Sequence, residues 1–86
     1  DLFTEEGSEI YLKPIGLYLD RLPEKVIFTD LVLLAQKRGE ILLGYRYGRF
    51  ADDVDMHFGV KVNLSKDTEI TPSPDDYFIV LSENEL

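Results

Sequence analysis

The chain has 86 residues, 44% of them apolar, with 17 acidic residues against 9 basic and a formal charge of −8. That length allows one domain with a limited core, and the apolar fraction excludes a disordered chain. The acidic balance argues against a nucleic-acid partner and against direct membrane contact, since both need clustered Lys and Arg, and the lack of cysteine excludes a disulfide scaffold or a Cys-based zinc site.

Residues 1–8 read as a lead-in, interrupted by Gly7-Ser8, with Leu2 and Phe3 as apolar residues able to dock on a neighbouring domain. The acidic start at Asp1 has neither methionine nor a basic, apolar leader, and reads as the start of a fragment or trimmed chain. Its longest apolar stretch is too short to span a bilayer. Glu9 to Lys13 reads as a strand that Pro14 stops. Ile15, Leu17 and Leu19 then fit either a second short strand or a compact turn, and Pro23-Glu24 marks another turn.

Asp30 to Arg38 (DLVLLAQKR) predicts a helix, capped by Thr29 or Asp30. Leu31, Leu34, Ala35 and Arg38 share one side of it. Lys37 and Arg38 suit the carbonyl end, and Gly39 suits a left-handed C-cap. Glu40 to Tyr47 (EILLGYRY) alternates Ile41, Leu43, Tyr45 and Tyr47 against Leu42, Gly44 and Arg46, a strand in which Gly44 marks close packing or a bulge. Residues 48–58 read as a long loop. Val60 to Leu64 and Tyr77 to Leu81 read as strands, separated by the turn-rich run 65–76. These elements specify an α+β domain over 9–85, a small mixed or antiparallel sheet with one principal helix packed on it. The expected core sets Leu31, Leu34 and Ala35 against Ile41, Leu43, Val62, Ile79 and Leu81.

Chemistry-bearing patterns are sparse. His57 stands alone, and no serine lies in a nucleophile turn. Asp52, Asp53 and Asp55 are candidate cation ligands, although the loop lacks the EF-hand pattern and solvated aspartates are the commoner case. No phosphate loop is present, and Arg46 and Arg49 are candidates for contact with an acidic ligand or partner. The chain carries much apolar surface for its size, which favours burial against a second copy or a sister domain. Tyr18, Leu19, Phe50 and Phe58 are the candidate interface residues.

Three segments carry a family likeness: EIYLKPIGLYLD at 9–20, IFTDLVLLAQKRGEILLGYR at 27–46 and FGVKVNLSKDTEITPSPDDYFIVLSENE at 58–85. In them the chain resembles the C-terminal subdomain of the potassium-conductance-regulating module, the TrkA-C-like domain. Within that group it is most similar to ion channels of the Castor and Pollux type and their prokaryotic relatives. It departs from the pattern at Leu64, where the family often has proline, and at Asp75, where the broader group usually has glycine. The resemblance implies a non-catalytic cytoplasmic domain of a membrane-associated protein, a homodimer lying beside an upstream nucleotide-binding-like domain and a membrane pore. There, assembly or ligand binding would bias the gate of a cation channel or transporter, with potassium as the implied ion. It implies no cofactor for this segment, because the dinucleotide-binding glycines belong to the upstream subdomain. An oligomerisation or interaction module of a soluble protein is the alternative.

Overall fold

The computed structural model describes residues 7–85. Most of the expected lead-in, with Leu2 and Phe3, lies outside the described residues. In chain order the elements are β1 (Glu9–Pro14), a 3-10 turn (Ile15–Leu17), β2 (Val26–Ile27), α1 (Phe28–Lys37) and β3 (Ile41–Arg46). Two further 3-10 turns (Gly48–Phe50 and Val54–Gly59), β4 (Val60–Val62), β5 (Glu69–Ile70) and β6 (Tyr77–Ser82) follow. Four strands form an antiparallel sheet in the order β1-β6-β3-β4, and β2 pairs with β5 in a separate ribbon. The α+β class is as the sequence predicts, but the sheet is not single. Strands of two residues carry no periodicity, so the ribbon leaves no pattern in the sequence.

Pro14 ends β1 at the edge of the sheet, where a missing N–H breaks no ladder. The chain then tightens into the Ile15–Leu17 turn, the compact-turn alternative for this stretch. Helix α1 begins at Phe28, two residues before its expected start at Asp30. Its first N–H groups are met by a distant loop: Phe28 N–H donates to Thr68 O at 2.9 Å, and Thr29 N–H to Lys66 O at 3.0 Å. The Thr29 hydroxyl also donates to Lys66 O, at 2.6 Å, so it fastens the loop rather than capping its own helix. At the other end Gly39 takes φ +74°, which lets Glu40 N–H reach the Ala35 carbonyl at 3.0 Å.

The core lies between α1, the ribbon and one face of the sheet. Phe28, Leu31 and Ala35 of the helix meet Leu42, Tyr45, Phe78 and Val80 of the sheet, with Ile15 and Ile70 closing the sides. Leu34 packs against this cluster only partly buried. Tyr18 stacks on Phe78 with ring centroids 3.9 Å apart. This corrects the expected core in part: Ile79 and Leu81 are buried as expected, but they lie on the opposite face of the sheet with the exposed Ile41 and Val62. Every residue of Tyr77–Leu81 is apolar, so period two could not say which set turns inward. A register shift between Leu42 and Gly44 also moves Leu42 and Tyr45 onto the same, helix-facing side and breaks the simple alternation of β3.

Candidate functional site

The buried titratable groups fall into two centres. Lys13 and Glu40 are both buried, and the Lys13 ammonium donates to Glu40 Oε2 at 2.6 Å, to Asn84 O at 2.7 Å and to Ser82 Oγ at 3.3 Å. Those are the three donors an ammonium has. The other carboxylate oxygen of Glu40 accepts the Tyr18 hydroxyl at 2.7 Å, and Arg38 Nε adds a bond to Oε2 at 3.3 Å. Burial alone would raise the Glu40 carboxyl, but the hydrogen bonds from Lys13, Tyr18 and Arg38 outweigh it and hold the pKa below its ordinary value. Burial, followed by the bond to Glu40, pushes the Tyr18 hydroxyl well above the tyrosine range, so it stays a donor. The cluster joins β1, the end of α1 and the end of β6.

The second centre is Asp76, also buried. It accepts the Tyr45 hydroxyl at 2.5 Å, Gly48 N–H at 2.8 Å and Ser73 N–H at 2.9 Å. Burial and this bond raise the Tyr45 hydroxyl far above its ordinary range. Both centres direct their bonds at neighbouring elements of the same chain, and among the described residues no buried side-chain polar atom lacks a partner. Such groups hold a fold in register. Sequence reasoning missed Lys13, Glu40 and Asp76, although period two along β1 already sets Lys13 beside Tyr11 and opposite Ile10 and Leu12.

The face of the sheet turned away from α1 is apolar. Directly paired residues point to the same side, so the register brings Ile10 and Leu12 of β1 together with Ile79 and Leu81 of β6. It adds Ile41 of β3, and Val62 and Val60 of β4 across from Gly44 and Arg46. Ile10 (65%), Ile41 (57%), Val62 (54%) and Leu12 (48%) are exposed there.

The candidate residues of the sequence lie elsewhere. Asp52, Asp53 and Asp55 are exposed, and Asp53 Oδ1 accepts the Asp55 N–H at 3.0 Å within the loop. Among the described residues no group of three or more His, Asp or Glu is arranged to hold a metal ion. His57 and Phe58 both take left-handed backbone, at φ 52° and 56°. Phe58 is half exposed, whereas Tyr18, Leu19 and Phe50 are partly buried, Tyr18 and Leu19 against the core. Arg46 donates to the carbonyls of Phe58 and Ala51 and so anchors the loop, and the Arg49 guanidinium sits 4.9 Å from the Phe50 ring centroid.

No family model matches the chain. It is 33% identical over 85 residues to the probable ion channel CASTOR of Oryza sativa subsp. japonica, covering 99% of the chain and 9% of that protein. It is 34% identical over 85 residues to the ion channel CASTOR of Lotus japonicus, with the same shares. Over 87 residues it is 31% identical to the probable ion channel POLLUX of Arabidopsis thaliana, covering 99% of the chain and 10% of that protein. The chain thus spans about a tenth of the length of these curated relatives.

Proposed function

We propose, from the premise that the chain is homologous over nearly its whole length to one segment of the Castor and Pollux ion channels, that it is a non-catalytic regulatory and dimerisation domain of a cation channel or transporter. The observation that carries this reading is that 99% of the chain aligns with a single segment of each of three ion channels. The geometry supports it in two ways. The buried ionisable groups serve the fold, and the outer face of the sheet offers a surface for assembly. No helix among the described residues is long and apolar enough to cross a membrane, so any pore belongs to another part of the protein. In this reading the domain lies on the cytoplasmic side beside the upstream nucleotide-binding-like domain, and the conducted ion is potassium. Its mechanism is a coupling free energy: a change in assembly or in ligand occupancy favours one state of the gate over the other.

The test uses a relative that is itself a channel. The matching segment of the Lotus japonicus ion channel CASTOR is deleted, or replaced by this chain, and currents are recorded in planar bilayers. Deletion is expected to abolish regulated gating and the replacement to restore it. Equal gating in the intact and deleted channels would sink the reading.

A further inference from the structure

We infer that the outer face of the four-stranded sheet is the surface through which two copies of this chain associate, the same face meeting itself across a two-fold axis near Ile79. The inference rests on the dimerisation part of the proposed function and names the surface involved, which is not the set around Tyr18 and Leu19. Strands about 4.8 Å apart and up to about 20 Å long give that face a plan area of roughly 350 Å². A stable pair of proteins buries about 800 Å² on each partner, with an apolar centre and a more polar rim. The sheet face supplies such a centre, and the loop that runs through Phe58 into β4 adjoins it as rim.

Charge selects the occupant. The paired positions of this face hold Ile10, Leu12, Pro14, Ile41, Gly44, Arg46, Val60, Val62, Tyr77, Ile79 and Leu81, and none is acidic. Arg46 is the one charge among them, and its guanidinium is engaged by loop carbonyls. A basic partner finds no carboxylate there, although the chain carries 17 acidic residues elsewhere. What the face matches is another uncharged aliphatic sheet face, and a second copy supplies one. Two chains of charge −8 can meet there with no acidic side chain of the paired positions between them. Sheets pack this way at about 10 Å, with strands within about 30° of one another, and a two-fold axis makes one such patch sufficient.

The test is sedimentation equilibrium of the whole chain over a concentration series, with the variant Ile10→Lys/Val62→Lys and the control Phe58→Lys. Both residues of the double variant are exposed, so its fold is checked by circular dichroism and by an unchanged urea midpoint. Its added positive charge lowers the net repulsion between copies, so a loss of association comes from the face itself, where an ammonium replaces an aliphatic group, and not from the net charge. The expected result is a dimer for the native chain and for Phe58→Lys, and a dissociation constant raised at least tenfold in the double variant. A dimer that persists unchanged in the double variant overturns the inference and leaves the dimerisation reading standing. A native chain that stays monomeric overturns both, and passes the face to a sister domain of a longer protein.

Discussion

Lys13 shows how much depends on single buried contacts. An ammonium removed from water is held in place only by an equally buried carboxylate and two further acceptors. Removing one partner of such a pair leaves the other charge buried, at a cost of about 3 kcal/mol or more. Lys13→Met is therefore expected to lower the urea-derived stability by about that amount. Adding Glu40→Leu should recover part of the loss, because an apolar pair leaves no charge stranded. The same cluster sets the acid limit. The Glu40 pKa is lowered on folding from its ordinary 4.5, so its contribution is complete above that value and disappears as pH falls through the folded one. The native chain should lose stability below about pH 4.5 more steeply than Glu40→Gln, measured as the urea midpoint against pH. A parallel decline in the two would remove Glu40 from the account. No such pair is visible in sequence, because a lysine and a glutamate 27 residues apart carry no pattern, and charged residues are ordinarily solvated.

At the level of elements, the turn after β3 is fixed by close approach. A Cβ on Gly48 would stand 2.2 Å from the Asp75 carbonyl oxygen, beside the point where Gly48 N–H reaches Asp76. Gly48→Ala must push two backbone segments apart and should cost about 2 kcal/mol, read as a lowered thermal midpoint with an unchanged far-ultraviolet spectrum. An unaltered midpoint would mean that the turn yields freely. The long elements were legible from periodicity: α1 within two residues of its start, and β3, β4 and β6 close to their observed bounds. What stayed hidden has particular causes. The helix cap is supplied by Lys66 and Thr68, remote in sequence, and β2 and β5 are too short to alternate. The inward face of β6 was undecidable because both of its faces are apolar, and that ambiguity concealed the surface that is left exposed. The resemblance to the Castor and Pollux channels read from three segments holds over nearly the whole chain.

At the scale of the whole molecule, charge and apolar surface act against each other. Two copies of charge −8 repel over a distance that salt controls, with a screening length of about 10 Å at 0.1 M and about 3 Å at 1 M. Association through an uncharged face should therefore tighten several-fold over that range, the opposite of what a salt-bridged interface does. Sedimentation at both ionic strengths distinguishes the two, and weakening with salt would mean that charged groups hold the contact. One further consequence concerns synthesis. β6 is flanked by β1 and β3 in the sheet, yet it follows the other five strands in the chain. While the polypeptide is being translated, β1 waits without a neighbour until Tyr77–Ser82 has cleared the ribosome. During that interval the apolar strands are open to chaperones and to one another. A translational stall before Tyr77 would thus leave a sheet in which β3 and β4 can pair but β1 has nothing to join, an open product for quality control to recognise.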